Sequence, residues 1–264
     1  MQILKNKYNL FFLIGYSLVL LSFLFVKTSP ENKVILYIIN FSLCFIIYFA
    51  FYYRIRNKQS LSLSEILFAA VILRVILIFV NPITSDDIYR YLWDGLIQGA
   101  GINPYQFAPE DTFLLSYQSN PIYAVLTFPD VRTIYPPLAQ IMFFLNHIIF
   151  GESIFGMKFL YLIIDVGTII FIFKILKTLN YNTNSTLLYA LSPLILFELF
   201  INAHIDILLL FFLAMSIYFV IKNNVSLAFL FLGFSAMSKI YSLMFLPIFV
   251  LYFYKRSSFK KIFL

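Results

Sequence analysis

Eight stretches of this chain, at 9–26, 34–53, 61–80, 154–173, 186–200, 205–221, 225–238 and 240–254, are strongly apolar, and a helix needs ~20 such residues to cross a bilayer. No soluble core absorbs that much apolar surface: 62% of the 264 residues are hydrophobic and the mean hydropathy is +0.90, against ~45–50% for an ordinary soluble domain. The 20% aromatic and 12% charged content excludes a disordered chain. The sequence therefore reads as an all-α polytopic membrane protein of about eight transmembrane helices. Its net charge of +7 would suggest nucleic acid in a soluble protein. Here the basic residues sit in short loops, where positive charge sets orientation, and no nucleic-acid partner is expected. The one cysteine, Cys44, lies in an apolar run and excludes a disulfide or a cysteine metal framework.

The first run follows Lys5 and Lys7 and ends in Lys27-Thr28-Ser29-Pro30 without a small-x-small cleavage site, which marks a retained helix rather than a signal peptide. Residues 225–254 as one helix would be ~45 Å long, too long for one span, and Lys239 stands at the midpoint, so a break is expected there. If 136–150 crossed the membrane, Lys174, Lys177, Lys222, Lys255, Arg256, Lys260 and Lys261 would all lie outside, against the positive-inside bias. Read as a half-helix returning to its own side, it puts them in the cytoplasm with Lys5, Lys7, Arg54, Arg56 and Lys58, as it does both chain ends.

Residues 81–135 are the long hydrophilic insertion. They hold Asp86, Asp87, Asp94, Glu110, Asp111 and Asp130 but only Arg90 and Arg132 as bases, which places the loop outside the cytoplasm. A loop of this length is usually functional. Ser85 can cap a helix whose first turn is Asp86-Asp87 and which ends at Gly99-Ala100-Gly101. At 100° per residue Asp86, Asp87, Arg90 and Asp94 share one face and Ile88, Tyr89, Leu92, Trp93 and Leu96 fill the other. Such a helix is expected to lie in the membrane interface with Trp93 and Tyr89 at headgroup depth and the acids facing outward. From spacing alone a capping pair with a solvated Asp86–Arg90–Asp94 ladder accounts for the acids as well as a functional role does.

Further polar residues fall in the turn Glu198 to Asp206, with Asn202 and His204 between them, and at Lys239 and Arg132. With Tyr135 they would form one mixed-charge outer basin. Arg74 and Asp165 lie within apolar helices and are expected to form an intramembrane ion pair or to snorkel. His147 and His204 have no zinc-ligand spacing, and no phosphate-binding glycine loop is present.

The block Ser85-Asp86-Asp87-Ile88-Tyr89-Arg90-Tyr91-Leu92-Trp93-Asp94-Gly95, then Gly101-Ile102-Asn103-Pro104-Tyr105 and Tyr135-Pro136-Pro137-Leu138-Ala139-Gln140, resembles the first outer loop of the GT-C superfamily of membrane glycosyltransferases. It is most similar there to bacterial polyprenol-phosphate-mannose-dependent mannosyltransferases. The resemblance spans roughly 70–250 and takes in Asn202-Ala203-His204-Ile205-Asp206. It implies a single integral-membrane GT-C-like domain over 1–264 in the bacterial inner membrane, with 81–135 as its first catalytic loop facing the extracytoplasmic side. That enzyme would move a hexose, mannose by resemblance, from a polyprenyl-phosphate donor to a glycan or glycolipid acceptor with inversion. The implied catalytic pair is Asp86 and Asp87. Arg90, Asp94, Arg132, Tyr135, Asn202, His204, Asp206 and Lys239 are the expected donor-phosphate or substrate contacts. No cofactor is required beyond the lipid-linked sugar, and a divalent cation on Asp86 and Asp87 stays open. Superfamily members usually carry more helices, so the chain is expected to be incomplete at its C-terminus. Two alternatives stand beside the transferase: a transporter or flippase of an anionic lipid or glycan, and an inactive fragment or assembly partner.

Overall fold

The computed structural model describes residues 6–25, 30–58 and 60–256, and among them every regular element is helical. Lys5, Lys27, Lys260 and Lys261, which enter the charge argument, lie outside the described residues. The helices are α1 Lys7–Leu21, α2 Pro30–Ile55, α3 Leu63–Ile78, α4 Asp87–Gly99, α5 Pro137–Phe150, α6 Ile154–Thr178, the short α7 Leu187–Ala190 and α8 Pro193–Ile195, α9 Asp206–Ile221, α10 Val225–Ser238 and α11 Leu246–Lys255.

Three helical stretches are long and apolar enough to cross a membrane: Lys7–Leu24, Val34–Ile55 and Ile154–Thr178. A fourth is gained if the pair Thr183–Ala190 and Pro193–Ile201, bent by 41°, counts as one span. The other expected spans shorten once backbone geometry is resolved. Helices of 14 to 16 residues such as α9 and α10 reach only ~21–24 Å against a hydrocarbon core of ~30 Å. Lys239 does break the last run: it is extended (φ −150°, ψ 125°) between α10 and a 3-10 turn, Ile240–Phe245. Where the sequence suggests one domain, the fold divides into two compact units, 1–81 with 165–201 and 82–164 with 202–264.

In the first unit α1 packs on α2 and α3, and rows of apolar side chains such as Phe11, Leu18, Ile38 and Ile46 face outward. A long helix with such a face belongs in lipid. The kink before Pro193 has a direct cause, because proline lacks an N–H and its ring clashes with the preceding turn. Carbonyls freed there need other donors in an apolar medium. Tyr48 donates to Leu188 O and Tyr16 to Leu191 O, both at 2.9 Å, and Arg74 Nη1 donates to Ala190 O at 2.7 Å. Arg74 Nε also binds the Asp165 carboxylate, whose other oxygen accepts from the Tyr189 hydroxyl. The expected intramembrane pair is therefore present, fully buried, and attached to the kink.

In the second unit α4 lies against α5. A Cβ at Gly95 would stand 2.5 Å from the Phe143 carbonyl oxygen, and one at Gly99 would strike the His147 ring, so the glycines four residues apart allow the helices their close approach. The helix α9 pairs with α10, tied by Ser216 to Ala228 O (2.6 Å) and Ser235 to Leu209 O (3.0 Å), and α10 also packs on α5. The apolar side of α4 does not face a membrane interface. Trp93 is 2% exposed, tilted against Tyr123 with ring centroids 5.5 Å apart, and shares a core with Ile97 and Leu114. The long loop folds back over its own helix.

Asp165→Asn should lower the thermal transition of the detergent-purified protein sharply, since removing one member of a buried pair costs ~3–5 kcal/mol. An unchanged transition would show that Arg74 is held by the carbonyls alone.

Candidate active site

The helix α4 begins at Asp87, one residue later than the sequence suggests. Its N-cap residue Asp86 makes no side-chain capping bond, whereas the Ser85 hydroxyl accepts the Asp87 N–H at 3.3 Å. That start separates the two acids. Asp86 is exposed, while Asp87 is half-buried on the wall of a cavity of about 240 Å³ that it shares with Arg90, Phe128, Arg132, Thr133 and Tyr135. No side chain among the described residues hydrogen-bonds or pairs with the Asp87 carboxylate.

Asp94, about two helical turns further on, behaves differently from either expectation. It is 1% exposed rather than solvated, and it does not line the cavity. One oxygen accepts from Arg90 Nε at 2.9 Å; the other accepts from the Thr133 hydroxyl and from Gln140 Nε2 at 2.8 Å. Gln140 Nε2 reaches Thr133 Oγ1 at 2.8 Å, and its oxygen accepts from Gln98 Nε2 at 2.8 Å. Asp94 thus stands behind the cavity wall and not on it. It grips Arg90 by Nε alone and, among the described residues, leaves the terminal nitrogens without a partner beside the cavity. It also fixes Thr133, whose neighbours Arg132, Ile134 and Tyr135 form the wall. Burial pushes the Asp94 carboxyl above the ordinary carboxylate range, more than Arg90, Thr133 and Gln140 pull it down.

Tyr135 is held edge-on against Tyr91 (4.9 Å) and Phe143 (5.5 Å), which stack on each other at 4.6 Å. Burial, then the charge of Asp87, raises the Tyr135 phenol, so it remains a proton donor at neutral pH. Phe128 completes the wall in an unusual state: it is 73% exposed with φ 55°. A bulky side chain in the left-handed region is strained, and such strain gathers at functional sites.

The expected single basin is two groups in this structure. Lys239 does not line the Asp87 cavity; its ammonium pairs with Asp206 at 2.6 Å, and the Tyr241 hydroxyl holds the other Asp206 oxygen. His204 is half-buried and its charge acts on Asp206. Asn202 is buried and accepts the Thr84 N–H at 3.1 Å, which ties this turn to the start of the long loop. The buried Tyr161 hydroxyl lies where the charges of both Asp87 and Asp206 reach it. Thr133, Gln140, Gln98 and Phe128 escape a reading based on charged residues. The available signal is an amide, Gln140, in the first turn of α5, set apart by an apolar run from the helix's other polar residues, Asn146 and His147.

A divalent cation fits poorly. Among the described residues no three His, Cys, Asp or Glu side chains gather at one point, and Asp86 does not join Asp87 on the cavity wall. A hard cation takes six or more oxygens, far more than the Asp87 carboxylate supplies.

The chain matches, over residues 15–255, the family model described as alpha-(1->6)-mannopyranosyltransferase, N-terminal domain. No curated protein and no solved structure matches it.

Two outcomes are expected. Phe128→Gly should raise the thermal transition, since relief of a left-handed residue is worth ~1–2 kcal/mol, while sugar transfer falls. With Asp94 the sign follows from linkage. A folded-state pKa above the unfolded value means that stability is gained as pH falls through the folded pKa towards the unfolded one, and lost again on going up to neutral pH. The difference in thermal transition between the parent protein and Asp94→Asn should therefore vary with pH in that acidic window, and a constant difference would count against the buried, charged Asp94.

Proposed function

From the premise that the chain belongs to the alpha-(1->6)-mannopyranosyltransferase N-terminal-domain family, we propose that it is a GT-C-type membrane transferase that moves mannose from a polyprenyl-phosphate donor to a glycan or glycolipid hydroxyl outside the cytoplasm. Family membership supports a glycosyltransferase with a sugar donor and a glycan acceptor. The observation that carries the finer reading is the cavity in which one unpaired carboxylate, Asp87, faces a wall with two guanidinium groups, Arg90 and Arg132.

A sugar on a polyprenyl phosphate is already activated, and the enzyme needs a base and an anion site. The acceptor oxygen attacks the anomeric carbon, and its proton passes to the Asp87 carboxylate. The bond from that carbon to the phosphate oxygen breaks with its electron pair, leaving polyprenyl phosphate. One displacement inverts the anomeric centre. Arg90 and Arg132 offset the charge growing on the leaving phosphate, and the Tyr135 hydroxyl donates a hydrogen bond beside them. The acid-rich loop 81–135 is consistent with an outer location, since positive charge is the cytoplasmic signal.

In membranes supplied with the lipid-linked sugar, Asp87→Asn should lower transfer by ~10²–10⁴-fold, the usual worth of a general base, and Asp86→Asn should retain most of it. Full transfer by Asp87→Asn with loss in Asp86→Asn would move the role to the neighbouring acid.

A further inference from the structure

A second cavity, of about 410 Å³, opens on the other side of the Asp94 network and is lined by Gln98, Asn103, Tyr105, Gln140 and Phe144 with the turn at Gly101. Its chemistry differs from that of the Asp87 cavity, because no charged side chain lines it. Amides and aromatic rings without net charge are what a neutral polyhydroxyl ligand requires: each amide offers a donor and an acceptor, and a ring face covers the C–H side of a sugar.

The hydrogen-bond accounts of these residues are open toward the cavity. Gln98 Nε2 is oriented by three oxygens, Asp94 O (3.2 Å), Gln140 O (3.2 Å) and Gln140 Oε1 (2.8 Å), and that fixes which end of the amide is oxygen. The oxygen makes no hydrogen bond among the described residues. Asn103 Oδ1 is engaged by the Tyr105 N–H at 3.0 Å, which leaves its Nδ2 likewise unengaged. Tyr105 is 41% exposed, yet its hydroxyl is anchored on the Tyr135 carbonyl oxygen at 2.7 Å. The ring is therefore held in place with a face to spare. Gln140, 4% exposed, is fixed through Asp94 and Thr133.

We infer that this cavity is the binding site for a neutral oligosaccharide, the acceptor glycan of the transfer. A sugar hydroxyl donates to Gln98 Oε1, another accepts from Asn103 Nδ2, and the ring of Tyr105 covers an apolar sugar face. Two connections place it beside the reacting cavity: Tyr105 bonds Tyr135, a residue of that cavity's wall, and Gln140 shares the Asp94 carboxylate with Arg90. A polyprenyl chain is the rival occupant, and the two amides argue against it, since burying them under hydrocarbon would leave both polar atoms unsatisfied.

The inference rests on the transferase reading, and two probes separate their fates. Saturation-transfer NMR on the full chain in nanodiscs would follow an α-(1→6)-linked mannotriose and a short-chain prenyl phosphate. Asn103→Asp keeps the acceptor for the Tyr105 N–H and removes the donor, and it should weaken mannotriose about tenfold, the worth of one hydrogen bond. Tyr105→Leu should weaken it by at least as much. Neither should alter prenyl phosphate binding, which Arg132→Ala should weaken instead. Mannotriose bound equally by the parent and both variants, or not bound by the parent, overturns the inference. So does loss of prenyl phosphate binding in Asn103→Asp and Tyr105→Leu, which would assign the cavity to the lipid. Mannotriose binding that depends on Asn103, with no prenyl phosphate binding by the parent, upholds the inference and overturns the charged-cavity reading.

Discussion

A carboxylate taken out of water costs several kcal/mol unless charge and hydrogen bonds replace its hydration, and Asp94 meets that demand by drawing onto itself a neighbour one turn back and two distant segments. Arg90 comes from its own helix, Thr133 from the end of the long loop and Gln140 from the following helix. None of the three can leave without stranding a buried charge. A loop of more than fifty residues would otherwise be a loose cover; this network, with the Trp93 core beneath its middle, makes it a wall. Both cavities take their geometry from the same carboxylate. One lies past Arg90 and Thr133, the other past Gln140 and Gln98.

The first unit obeys the same rule in a more apolar setting. Pro193 interrupts a helix and releases carbonyls, and the donors that take them are long or rigid side chains from other helices: Tyr16, Tyr48 and Arg74. Arg74 can be there because Asp165 balances its charge and Tyr189 occupies the second oxygen of that acid. Polar residues scattered through apolar helices are thus structural mortar here, and a charge within a span is a poor guide to chemistry when a helix break stands beside it.

Composition and period carried the large features: helices throughout, the break at Lys239, the bounds of α4 to within one residue, and the Arg74–Asp165 pair. They failed where the answer depends on what covers a face. A helical wheel separates Trp93 from Asp94 but does not say that residues near 114–123 cover the first and Thr133 and Gln140 the second, so a buried helix reads as an interfacial one. Hydropathy counts residues, not backbone direction, so the kink at Pro193 and the short α9 and α10 pass as full spans. The basin reading puts Lys239 on the same side as Asp206, but not in a direct pair with it, because the two stand thirty-three positions apart in the chain.

Within one unit, four acids thus face four environments, and that difference sorts their capacities. Asp94 accepts three hydrogen bonds, and Asp206 is paired with Lys239 and bonded by the Tyr241 hydroxyl, so both carboxylates are already engaged by the protein. Asp86 stands in bulk water, where a carboxylate is well hydrated and holds nothing in register. Asp87 alone combines a protected position with an unengaged carboxylate. The engagement of Asp94 contributes to that outcome. Because it takes Arg90 through Nε, the guanidinium cannot swing across to neutralise Asp87, and its remaining nitrogens stay available for an anion that arrives with the substrate. A base and a cation can share a cavity without cancelling each other only when a third group restrains one of them, and here that group is the buried carboxylate behind the wall.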